Sequence, residues 1–75
     1  MTNIIDQINE EFKNSPIYYL RVVKADHKDG NIILNGILSS HFQRQVAQAL
    51  AVGTTDRKYR VINNISVKSR KVSVL

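Results

Sequence analysis

Seventy-five residues, 43% of them hydrophobic and 23% charged, suit one small globular domain and no more. A chain of this size buries only about 60% of the surface its unfolded form exposes, so the core is thin, a deep water-excluding cleft has little room, and an enzyme is not expected. The absence of cysteine excludes disulfides and thiolate metal sites, and no run approaches the roughly 18 apolar residues that a membrane-crossing helix needs.

The net charge of +5 is unevenly spread. Residues 57–75 hold Arg57, Lys58, Arg60, Lys68, Arg70 and Lys71 with no acid among them, while acids and bases nearly balance in the rest of the chain. Such a basic end attracts anionic lipid, nucleic acid or an acidic protein surface, or simply solubilises the chain. Residues 1–11 carry Asp6, Glu10 and Glu11 without a basic start and an apolar block. They do not read as a secretory signal, so the expected location is the cytoplasm, or the periplasm if a signal has been removed.

Taken in chain order, Thr2 or Asn3 can cap a first helix in which Ile4, Ile8 and Phe12 recur every four residues, with Ile5 beside them. Asn14, Ser15 and Pro16 stop it. Residues 18–25, rich in tyrosine and valine, predict a strand with two partly apolar faces. His27-Lys28-Asp29-Gly30 predicts a turn in which Gly30 can take positive φ. Residues 31–38 predict a second strand, with Ile32, Leu34, Gly36 and Leu38 on one face and Ile33, Asn35 and Ile37 on the other. Ser40 and Gln43 form a capping-box pattern ahead of Phe42, Val46, Ala49 and Leu50, so a second helix runs to about Val52 with Gly53 as its stop. Tyr59, Val61, Ile65 and Val67 alternate with Arg60, Ile62, Asn64, Ser66 and Lys68 along a third strand that includes Asn63. Val72, Val74 and Leu75 either extend it or form a short extra strand. The implied fold is α+β, a two-layer sandwich of order α-β-β-α-β, with two helices packed on one face of a three-stranded mixed sheet.

This pattern resembles the BON domain, the bacterial osmotic-stress and nodulation family. The resemblance rests on Asp29-Gly30-x-Ile32-x-Leu34-x-Gly36-x-Leu38, on the second helix, and on Val61-Ile62-Asn63-Asn64-Ile65-Ser66-Val67. It covers residues 3–67 as one domain and leaves residues 68–75 as a basic extension. The family usually has a Gly-Val pair where this chain reads Arg57-Lys58. The resemblance implies attachment to phospholipid membranes or to partners, with no catalytic residues to carry over. Gly30, Gly36 and Asn63 then read as structural positions: a turn, a close approach, and an amide bonded near a strand end.

Chemistry is sparse. His27 and His41, the only histidines, are not placed beside further ligands, so no metal and no cofactor are expected. Ser39 and Ser40 read as caps, and adjacent Glu10 and Glu11 diverge by about 100° on a helix, too far for a carboxylate pair. What remains is surface. If the helices cover the side bearing Ile32, Leu34, Val61 and Val67, the other side presents Ile33, Ile37 and Ile62, joined by Leu20 and Val22 and edged by Lys24, Arg60 and Lys68, unless the tail folds back over it. A binding module is the expected function, its basic residues drawn to anionic phospholipid or to a protein partner. One alternative is a nucleic-acid-binding protein with Tyr18, Tyr19 and Tyr59 near the same charges. The other is a homo-oligomer paired through the uncovered sheet face.

Overall fold

A computed structural model of the chain describes residues 3–68. The extra strand considered for Val72, Val74 and Leu75 lies outside them. The elements are α1 (Ile4–Lys13), a 3-10 helix (Tyr18–Val22), β1 (Lys24–Lys28), β2 (Asn31–Asn35), β3 (Ile37–Leu38), α2 (His41–Thr54), β4 (Val61–Asn63) and β5 (Ser66–Val67). β1 pairs antiparallel with β2, and β2 pairs parallel with β4, giving a three-stranded mixed sheet of order β1-β2-β4. Both helices pack against it, as the α+β reading requires.

α1 starts where Asn3 Oδ1 accepts the Ile5 N–H at 3.0 Å, with Asp6 in the first turn and Lys13 in the last, both favourable to the helix dipole. Its apolar stripe sends Ile8 and Phe12 into the core, where neither keeps any exposure.

The strand expected at residues 18–25 is instead the 3-10 helix Tyr18–Val22, and β1 begins only at Lys24. The Leu20 N–H donates to the Ile17 carbonyl and the Val23 N–H to the Leu20 carbonyl, each at 3.1 Å. In a strand Leu20 and Val23 would face opposite sides; at three residues per turn they share one side, and both are buried. β1 therefore takes in His27 and Lys28, which the sequence places in the turn. The turn itself is Asp29 and Gly30, at φ 53° and 79°, the positive pair of a type I′ hairpin.

The second predicted strand is broken at Gly36, whose φ is 150°. A Cβ there would lie 3.2 Å from the Val22 carbonyl oxygen and 3.4 Å from Val23 Cα. The missing side chain lets the end of the 3-10 helix press onto the strand. Beyond the break β3 pairs parallel with β5. The register is unchanged across it: Ile32 faces Val61 before the break and Ile37 faces Ser66 after it. Asn64 Nδ2 donates to Asn35 Oδ1 at 3.1 Å in the gap between.

In α2, Ser40 Oγ caps the Gln43 N–H at 3.2 Å, while Gln43 Oε1 accepts from the Ser39 N–H rather than from Ser40's own. The helix passes the expected stop at Gly53 and ends at Thr54. The stop is a Schellman arrangement one turn later, with the Arg57 N–H on the Val52 carbonyl and the Asp56 N–H on the Gly53 carbonyl, both at 3.2 Å. Asp56 and Arg57 take positive φ, 55° and 61°, without being glycine. The third strand starts at Val61, not Tyr59, and pauses at Asn64 and Ile65. The buried alanines Ala47 and Ala51 let α2 approach β4 closely and share one core with Ile32 and Leu34.

Candidate interaction face

Alternation along the strands sorts the side chains into two faces. Ala25, Ile32, Leu34, Leu38 and Ile65 point toward the helices and are buried. The opposite face is set by register. Its central row is Asp26, Ile33 and Ile62. On one side lies Lys28 beside Asn31, with Arg60 at the head of β4, where its carbonyl accepts the Ile32 N–H at 2.9 Å. On the other lies the row Lys24, Asn35 and Asn64, followed by Ile37 opposite Ser66. Lys68 closes this end, its N–H donating to the Leu38 carbonyl at 2.8 Å.

Ile37 is 56% exposed and Ile62 39%, with Ile33 half-buried between its neighbours. The three isoleucines do share the face away from the helices, but the Asn35–Asn64 row divides Ile37 from the other two. Leu20 is not on this face; it sits in the core, 1% exposed, while Val22 stays exposed.

The basic residues are arranged by the fold rather than by chain order. Arg57 and Lys58 follow α2 on the way to β4. Arg60 and Lys68 stand at opposite ends of the β4–β5 line, roughly 26 Å apart at about 3.3 Å per extended residue. Arg70 and Lys71 lie outside the described residues. Lys24 and Lys28 join from β1, both exposed. The sequence hides Lys28, because it falls in what reads as the turn. Asp26 is the one acid on this face among the described residues.

No tyrosine lies in a strand. Tyr18 and Tyr19 meet edge to face in the 3-10 helix, ring centroids 5.8 Å apart, and Tyr59 precedes β4. Aromatic stacking platforms are built on sheet faces, and this face carries no aromatic residue.

Asn63 faces the other way and ties β4 to α2. Its Nδ2 donates to the Arg44 carbonyl at 3.1 Å and to Gln48 Oε1 at 3.2 Å, and its Oδ1 accepts the Ile65 N–H at 3.2 Å. Arg44 Nη2 returns a bond to the Asn63 carbonyl at 2.8 Å, while its buried Nε has no hydrogen-bond partner. Sequence reasoning missed Asn9 altogether. It bonds the backbone of Ala25 through both ends of its amide.

His27 and His41 are exposed. Among the described residues no three His, Asp or Glu side chains are grouped to hold a metal ion, and no helix is long and apolar enough to cross a membrane. No protein-family model matches the chain, and a search of curated proteins finds no match.

Proposed function

We propose that the chain is a non-catalytic, BON-like binding module that attaches through its uncovered sheet face to an anionic phospholipid surface. One observation carries this: Ile33, Ile62 and Ile37 lie on a face flanked by Lys24, Lys28, Arg60 and Lys68 against the single acid Asp26. Isoleucines that reach the acyl boundary beneath cations that meet phosphate form the pairing an anionic bilayer recognises. Each cation near such a surface contributes about 1 kcal/mol, so the affinity is modest and falls as salt rises. The lack of aromatics on the face favours lipid over nucleic acid.

The test is amide NMR of labelled protein titrated with anionic bicelles, neutral bicelles serving as control. Shifts on β1, β2 and β4 with anionic bicelles alone, reversed by salt, are expected. Silence at low salt would discard lipid and bring an acidic protein or nucleic acid forward.

A further inference from the structure

Among the described residues, α2 carries a second unpartnered surface. Phe42, Val46, Ala49 and Gly53 follow one another at steps of four, three and four residues, a heptad-like seam along one side of the helix. At 3.6 residues per turn this stripe lies roughly opposite Ala47 and Ala51, which face the core. Phe42 is 70% exposed, Ala49 and Gly53 are exposed, and Val46 is half-buried. Shallow grooves run on both sides of Ala49, one toward Ile17 and Leu20, the other along Gln45, Gln48 and Val52.

Gly53 has no local reason to be glycine. Its φ is not positive, and nothing lies within 4 Å of where its Cβ would stand. Gly53 is the penultimate residue of α2, and nothing within the described monomer fills the space beside it. The exposed positions of α2 also lack charge. They are His41, Phe42, Gln45, Gln48, Ala49 and Gly53, in a chain that is 23% charged. Arg44, the helix's one charged residue, is turned to the Asn63 carbonyl. Charge depletion around an exposed aromatic is the composition of an interface core.

We infer that this stripe docks on a second copy of itself, the two α2 helices running antiparallel about a two-fold axis between Val46 and Ala49. Along the seam the side chains shrink from Phe to Val to Ala to Gly. Reversal of one helix sets Phe42 over the partner's Gly53 and Val46 over the partner's Ala49, large against small throughout. A parallel pair would oppose Phe to Phe and Gly to Gly. The partial charges agree: α2 has no acid in its first turn and no base in its last, and an antiparallel neighbour brings the opposite helix pole to each end. Gln45 and Gln48 on one flank both donate and accept, so that flank opposes no like charges across a two-fold axis, while Glu11 borders the groove on the other flank. A stripe that complements its own reversal selects a second copy over a foreign partner.

The test is sedimentation of the full chain, without lipid, from about 10 μM to about 1 mM, a range that brackets a weak dimer. The mass is expected to rise from one chain to two. Phe42→Ala and Gly53→Phe should each weaken dimerisation at least about tenfold. The double variant Phe42→Ala/Gly53→Phe should recover to within about threefold, since a large residue again meets a small one. Circular dichroism and thermal unfolding should show all variants folded, as both sites are exposed. A chain that stays monomeric at the highest concentration overturns the inference. So does a dimer indifferent to Phe42→Ala, or a double variant no better than its parents. None of these results bears on lipid attachment, which uses the other layer.

Discussion

The side-chain amide of Asn9 clasps Ala25 as a neighbouring strand would: Oδ1 accepts the Ala25 N–H at 2.7 Å and Nδ2 donates to its carbonyl at 3.0 Å. β1 is an edge strand, and this clasp from α1 covers two of its outward backbone groups. Asn9→Ala removes both bonds and should cost about 2 kcal/mol, read as a lower urea midpoint with an unchanged slope. The bared edge should also aggregate more readily. An unchanged midpoint would mean that water replaces the amide.

A side chain at Gly36 would be both crowded and strained. Alanine there meets the Val22 carbonyl at 3.2 Å in a backbone with φ 150°. Gly36→Ala should lose about 2–3 kcal/mol, through strain and through displacement of the 3-10 helix. Gly53→Ala is the contrasting case. Its site is empty, so the monomer should gain up to about 1 kcal/mol.

Arg57 takes a left-handed conformation that an L side chain adopts at a cost of about 1–2 kcal/mol. Arg57→Gly relieves this but loosens the unfolded chain, leaving a net gain of about 0.5–1 kcal/mol in thermal unfolding. A destabilised variant would show that the arginine side chain does more for the fold than its backbone strain costs.

Lys28→Glu reverses a charge on the uncovered sheet face, and Lys13→Glu makes the same change in net charge on α1, in the other layer. Removing one cation and adding one anion there should weaken binding to anionic vesicles about 30-fold, roughly 2 kcal/mol, while Lys13→Glu should change it little. Equal losses from both would point to net charge rather than this face as the source of attraction.

The helices and the hairpin are legible in the sequence because each has a strong local signature: the period of Ile4, Ile8 and Phe12, the Ser40–Gln43 cap, the Asp29-Gly30 turn. Residues 18–22 mislead because their tyrosines and valines suit a strand, and only the burial of Leu20 together with Val23 favours three residues per turn. The end of α2 misleads because Gly53 is present and unused while Asp56 supplies the left-handed step. Asn9 is silent because its partner is backbone in another element. On the sheet face, alternation reveals Ile33, Ile37 and Ile62, but only register brings Lys24 and Lys28 beside them, and the run of basic residues along the chain spreads out in space.

The parallel pairing of β2 with β4 has a further consequence. Ile33 and Ile62 become neighbours only when the chain returns through α2 and β4 slots in beside the first hairpin. Pairing across so long a loop forms late, after local helices and turns. A nascent or partly unfolded chain therefore has the charges but not the surface. On the proposed role, attachment would have to wait until folding is complete.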